Sequence, residues 1–347
     1  GVPDHQILAT ALYVKLAFPK RKTIVVSRDI NMRVISDAIG IEAEEYQTAQ
    51  AVESTDKIFT GFQEVVVDDE LVEQFYAGEE IRLDESLLES QKITLYPNQF
   101  VMLISSSNPK KTALTRYIDR THPLALIRDR KHEVSWGVFP RNKEQGFSFD
   151  LLFDEDIPLV SLIGRAGSGK TLMAIAAGME QTLGMHGNKY KKLVVSRPVQ
   201  PMGKDIGFLP GDMKEKMMPW LMPIKDNMEM ILGQDKVMFE QFIEQGKIEI
   251  EALTYIRGRS INNAFMIIDE AQNLTAHEVK TIITRVGDNT KVVLTGDIEQ
   301  IDNIYTNETS NGLTYAVERF KEHDLAGHVT FTKGERSRIA TLASKIL

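Results

Sequence analysis

An α/β fold whose main domain is a parallel sheet covered by helices on both faces is predicted by three observations. From Pro158 onward, buried-type apolar runs at 159–163, 192–196, 265–268 and 292–295 alternate with helical segments. A glycine-rich turn at 164–171 joins the first of these runs directly to a helical stretch. Ahead of this domain, residues 59–140 break into short alternating runs bounded by Asn, Pro and Gly, the pattern of a small β-rich module.

The opening stretch reads as helix, strand, helix. Asp4 is placed to cap an apolar run reaching Phe18, residues 23–27 are β-branched, and 30–39 are helical before Gly40. One clear strand cannot close a parallel sheet, so further chain is expected before Gly1. In the β-rich module the expected strands are 64–67, 100–105 and 133–139. The predicted domains are therefore 1–58, 59–140 and 141–347. A long Pro, Gly and Met loop at 197–219 interrupts the last of them, and loops of that length are often functional.

Composition narrows the function classes. The 347-residue chain is too long for one core and, at 42% hydrophobic and 26% charged residues, close to globular averages. With no Cys, disulfides and thiolate metal sites are excluded, and the seven His show no paired ligand spacing. No apolar run approaches the roughly 20 residues that cross a bilayer, and no secretory signal opens the chain, which points to a cytoplasmic protein without a membrane partner. The net charge of −8 does not announce a nucleic-acid binder, although an average can hide a basic groove.

Gly164-Arg165-Ala166-Gly167-Ser168-Gly169-Lys170-Thr171 fits G-x-x-x-x-G-K-[ST] between a strand and a helix, the context that a phosphate cradle needs. The glycines let successive N–H groups face phosphates and the helix N-terminus adds positive potential. Lys170 reaches the β and γ phosphates and Thr171 holds Mg²⁺. A second strand, 265–268, ends in Asp269 and Glu270, which suit a magnesium ligand and a residue that orients attacking water. Gln300, three residues beyond Asp297 at a further strand end, is placed to sense the γ phosphate. Thr275 and Glu278 form a capping box and are assigned to structure.

Ile268-Asp269-Glu270-Ala271-Gln272-Asn273 and Thr295-Gly296-Asp297-Ile298-Glu299-Gln300 resemble the PhoH-like ATPases, relatives of the superfamily 1 helicase core. So do Ser196-Arg197-Pro198, the segment from Gly203 to Asp212, Tyr255-Ile256-Arg257-Gly258-Arg259 and Lys333-Gly334-Glu335-Arg336-Ser337-Arg338. The resemblance spans about 200 residues and implies a RecA-like P-loop NTPase fold. The leading segment, through residues 4–12 and 27–31, resembles the second half of a PIN nuclease domain. Together they resemble PIN and PhoH fusion proteins, in which an ATPase motor is joined to a Mg²⁺- or Mn²⁺-dependent ribonuclease. That resemblance implies that Asp4 and Asp29 are metal-holding carboxylates, with the earlier ones preceding Gly1. The alternative is a helix cap and a strand-end turn. Two carboxylates alone bind a hard cation weakly, so little nuclease activity is expected of this chain.

Residues 141–145 look like the adenine-reading element of helicases, with Gln145 able to pair with adenine and Phe147 placed to stack nearby; a polar linker is the alternative. Either Arg336 or Arg338 is suited to be an arginine finger. Arg257 and Arg259 flank Gly258 in a basic turn for RNA phosphates or a neighbour's nucleotide, or in a solvated hairpin tip. Lys204 sits in the Met-rich long loop, a mobile contact element or a core-covering lid. In the β-rich module Lys110, Lys111, Arg116, Arg120, Arg128, Arg130 and Lys131 lie near Tyr117 and Trp136, a mixture suited to single-stranded nucleic acid. The expected activity is ATP hydrolysis coupled to movement on, or unwinding of, single-stranded RNA, in a homo-oligomer such as a hexameric ring. A nucleotide-regulated scaffold and a P-loop kinase are the competing classes; Glu270 beside Asp269 favours water as acceptor over a kinase substrate.

Overall fold

The computed structural model describes residues 3–27, 29–44, 50–127, 136–184, 189–198, 213–233, 235–256 and 260–332, without the side chains of 213–218 and 255. By compactness the chain divides into two units, Gly1–Gln50 and Ala51–Leu347. The expected first boundary at 58 thus falls at 50, and the β-rich residues share a unit with the main domain.

In the first unit, α1 (Pro3–Ala17) precedes β1 (Ile24–Val26), α2 (Ile30–Ala38) and β2 (Glu42–Glu44), and β1 pairs in parallel with β2. Leu8, Val25, Met32 and Ile41 form a small apolar core. Asp4 lies inside the first turn of α1, behind Pro3, and is not its cap. Asp29 caps α2, accepting from the N–H groups of Asn31 at 2.8 Å and Met32 at 3.3 Å.

The second unit begins with β3 (Phe62–Val67), α3 (Asp69–Tyr76), α4 (Glu85–Ser90), β4 (Gln99–Ser105), β5 (Thr112–Tyr117) and β6 (Ala125–Leu126). They form a mixed sheet in the order β3-β4-β5-β6, with β3 and β4 parallel and the other pairs antiparallel. Val65, Val67, Val101 and Leu103 pack on Val72 and Phe75 of α3, which is how a four-stranded sheet buries one face. Of the expected strand at 133–139, residues 133–135 lie outside those described, and Trp136 and Gly137 form a turn. On the other edge of β4 lies β5, a strand not expected from the sequence, paired antiparallel to it.

There follow α5 (Lys143–Phe153), β7 (Leu159–Gly164), α6 (Lys170–Leu183), β8 (Lys192–Arg197), α7 (Met213–Ile231), α8 (Lys236–Glu244), β9 (Ile248–Ala252), α9 (Leu253–Ile256), β10 (Ala264–Ile268), α10 (Ala276–Ile283), β11 (Lys291–Gly296), α11 (Gly312–Phe320) and β12 (Ala326–Phe331). The six strands form an all-parallel sheet in the order β12-β7-β11-β10-β8-β9. Alternate strand residues feed two cores. Val160, Leu162, Phe265, Ile267 and Val293 pack with α5 and α6, whereas Ile163, Met266, Ile268, Val292 and Leu294 pack with α10 and α11. A sheet buried on both faces explains why its strands read as continuous apolar runs. The capping box at Thr275 and Glu278 forms as the sequence predicts.

Helix α5 sits between the two sheets. Phe147 on it is 2% exposed and stacks on Phe100 of β4, with centroids 4.2 Å apart. It is core, not a surface for a base, because the mixed sheet covers that face of α5. Arg116 of β5 is likewise withdrawn from any nucleic-acid surface: it is 8% exposed and bridges Asp150, at 3.2 Å, and Asp154, at 2.5 Å. Lys111 and Arg120 pair with Glu73 and Glu85. The buried Lys291 ammonium donates to the carbonyls of Leu151, Asp154 and Ile157 at 2.7–2.8 Å, satisfying the end of α5.

His328 of β12 is buried against β7, its Nδ1 2.9 Å from Ser161 Oγ and its Nε2 2.8 Å from Thr330 Oγ1. Burial pushes its pKa down from 6.5 to about 3. Below the ordinary value the unfolded chain takes up a proton that the folded chain refuses until about 3. Stability is therefore full above 6.5 and falls as pH drops between the two values. Between about pH 7 and pH 4.5 the wild type is expected to lose roughly 2–3 kcal/mol more than His328→Gln. Urea unfolding of both proteins at the two pH values checks this, and equal losses would refute it.

Candidate active site

β7, every residue buried, delivers the chain to a loop that the sheet end and α6 together shape. Gly164 has no room for a side chain: a Cβ there would stand 2.6 Å from Phe331 Cβ. Gly169 adopts φ 91° as the N-cap of α6, a conformation that favours glycine, and its absent Cβ leaves space for Gln145 Nε2. Such a turn aims backbone N–H groups and the positive helix end at one point.

The loop is braced from two sides. Asp297, just past β11, accepts from Ala166 N at 2.8 Å, and Arg165 pairs with Glu299 at 2.8 Å. From α5, Gln145 Nε2 donates to Ser168 O at 3.1 Å while its Oε1 accepts from Arg141 N at 2.7 Å. Gln145 is thus adjacent to the phosphate loop, with both ends of its carboxamide engaged in this structure. Lys170, 8% exposed, is the first residue of α6, and its ammonium lies 3.4 Å from Arg165 O.

Two carboxylates complete the site from β10, the strand beyond β11. Asp269 Oδ1 accepts from Thr171 Oγ1 at 2.8 Å and from Thr295 Oγ1 at 2.7 Å. The Thr171 hydroxyl and the Asp269 carboxylate, hard oxygens side by side at a phosphate loop, fit a Mg²⁺ ion that keeps several waters. Glu270 follows with φ 54°, a strained value for a non-glycine residue and one that recurs at functional sites. Its Oε1 lies 3.3 Å from Arg197 Nη2 and its Oε2 accepts from Gln272 Nε2 at 2.5 Å. Gln272, fully buried, also donates to Gln300 O at 2.9 Å and accepts from Asp297 N at 3.1 Å. Gln300 itself is exposed and tied by its backbone, its N–H donating to Asp297 O.

A cavity of about 610 Å³ opens over Gly167, Gly169, Lys170 and Thr171, walled by Trp136 and by Met230 of α7. Its volume suits a nucleotide-sized ligand. Sequence reasoning left out the roles of Arg197, Gln272 and Thr295. All three stand in strand-end motifs quoted for their resemblance, and each role depends on a partner distant in sequence. Lys204, Arg257, Arg259, Arg336 and Arg338 lie outside the described residues. Asp4 and Asp29 belong to the first unit, and among the described residues no group of three or more His, Asp or Glu gathers as a metal site. No helix among the described residues is long and apolar enough to cross a membrane.

Comparison with known proteins matches residues 137–346 to the family described as PhoH-like protein and residues 1–47 to the PIN domain. Protein PhoH2 of Bacillus subtilis is 45% identical over 354 residues, covering 99% of this chain and 77% of that protein. Protein PhoH2 of Thermobispora bispora is 34% identical, covering 100% and 75%. Protein PhoH of Escherichia coli is 39% identical over 186 residues, covering 54% and 51%.

Proposed function

Since the chain belongs to the PhoH-like protein family, we propose that it hydrolyses ATP at the 164–171 loop and couples hydrolysis to movement along, or unwinding of, RNA. The observation that carries this reading is the 2.8 Å contact between Thr171, the last residue of the loop motif, and Asp269, just past β10, with Glu270 next in the chain. Motifs almost a hundred residues apart in sequence meet there, at the carboxyl ends of parallel strands where such sheets bind ligands.

In this reading the loop amides and Lys170 hold the triphosphate, and Thr171 and Asp269 hold Mg²⁺, which when bound offsets charge on the β and γ phosphates. Glu270 orients the attacking water. A transferred phosphoryl group needs positioning and charge stabilisation more than covalent help, and these residue types provide both. RNA as the partner is supported by the PIN domain match at residues 1–47; Asp4 and Asp29 would contribute to a Mg²⁺ or Mn²⁺ ribonuclease site there. Lys204, Arg257 and Arg259 are proposed to contact RNA or a neighbouring subunit of a ring, hexameric for instance. Arg336 or Arg338 is the proposed arginine finger, and Gln300 the γ-phosphate sensor.

Steady-state ATP turnover with and without a single-stranded RNA oligonucleotide tests the proposal. RNA is expected to raise kcat severalfold and to be displaced from a paired strand as ATP is consumed. Turnover indifferent to RNA would sink the motor reading and favour a nucleotide-regulated scaffold.

A further inference from the structure

The carboxylate of Glu270 has a partner at each oxygen, one from the turn just after β10 and one from the end of β8. Gln272 Nε2 takes Oε2 at 2.5 Å, and it is itself immobilised by Asp297 N and Gln300 O. Arg197, the last residue of β8, takes Oε1 at 3.3 Å through Nη2. The same guanidinium makes a longer ion pair, 4.0 Å, with Asp269 Oδ2, while Asp269 Oδ1 accepts from Thr171 and Thr295. Glu270 is therefore the nearer carboxylate partner of Arg197. With a side chain 23% exposed against 30% for Glu270, the two form an ion pair at the rim of the site, where the planar guanidinium presents a rigid, permanently charged face to the carboxylate. A glutamate has three side-chain torsions, and without the clamp its carboxylate samples orientations in which the water it serves is not in line.

We propose that Arg197 is a positioning residue for ATP hydrolysis, acting through Glu270 and not on the nucleotide. The inference rests on the reading of Glu270 as the residue that orients water.

Wild type, Arg197→Ala, Arg197→Lys, Glu270→Gln and the Arg197→Ala/Glu270→Gln double variant are compared for kcat and for the KM of MgATP. Arg197→Ala is expected to lower kcat by about 10- to 100-fold with KM changed by no more than about twofold. Arg197→Lys, a point charge able to reach one oxygen, is expected to recover part of that loss. The double variant is expected to turn over no more slowly than Glu270→Gln alone, because residues that act as a unit are not additive. Losses that add in the double variant would place Arg197 on the phosphates and overturn the proposal. So would a raised KM at unchanged kcat, or full activity of Arg197→Ala beside a slow Glu270→Gln. A Glu270→Gln protein as fast as wild type would instead remove the premise and take the proposal with it. Should Arg197→Ala fail to fold, Arg197→Gln, which keeps the length and loses the charge, reads the same parameters.

Discussion

Replacing Lys170 by alanine is expected to lower ATP turnover by about 100- to 1,000-fold, equivalent to about 2.7–4 kcal/mol of lost transition-state stabilisation. The ammonium sits at the first turn of α6, 8% exposed, with the loop carbonyl of Arg165 3.4 Å away. In so enclosed a place a fixed charge acts through little water and needs no reorganisation when charge shifts on the phosphates. Arginine is not a substitute, since its planar fork is larger than the space a compact ammonium fills. Binding should weaken too, because ground state and transition state both present phosphate to the loop. The fold should survive, since Met173, Ala174, Ile175, Ala176, Ala177 and Met179 keep α6 anchored in the core. Turnover and nucleotide affinity, measured beside a thermal unfolding curve, decide it; an alanine variant that hydrolyses ATP at the wild-type rate would end the phosphate-loop assignment.

Glu270→Gln is expected to separate binding from chemistry. The amide keeps the size and can still accept from Gln272, so nucleotide affinity should hold within about threefold, while kcat falls by about 100- to 10,000-fold with the loss of a proton acceptor beside water. The substitution is conservative for the backbone as well, because the strained φ of 54° is a property of the position that glutamine meets no worse than glutamate. Single-turnover hydrolysis alongside equilibrium binding of a fluorescent ATP analogue gives both quantities. A parallel loss of affinity and rate would mean that Glu270 holds the nucleotide or its metal ion instead of activating water.

The parallel sheet and its candidate phosphate loop are legible in the chain because both are local patterns. Strands buried on two faces write themselves as largely apolar runs, as at 159–164 and 264–268, and the loop glycines lead directly into Lys170 and Thr171. What escaped depends on partners far away in sequence. Nothing in the residue types around Phe147 says that Phe100 will cover it, nor that Arg116 will be neutralised by Asp150 and Asp154, while Arg128, Arg130 and Lys131 lie outside the described residues. Residues 141–145 are legible as a candidate adenine-reading element, but the contacts of Gln145 with Ser168 and Arg141 come from how α5 docks, which spacing does not encode. Arg197 and Gln272 were visible only as members of motifs. The Arg197–Glu270 pair requires β8 and β10 to be neighbours, and Gln272 is fixed by Asp297 and Gln300, both matters of topology.

The manner in which α5 is seated has a mechanical consequence. At its start the helix holds the carbonyl of Ser168; along its flank Phe147 is pressed against Phe100; at its end Arg116 grips it through two carboxylates, and Lys291 seals its last turn. A rod clamped at so many points cannot bend to absorb a shift of the loop at its tip. The four-stranded sheet and the loop at 164–171 thus share one helix as their common support.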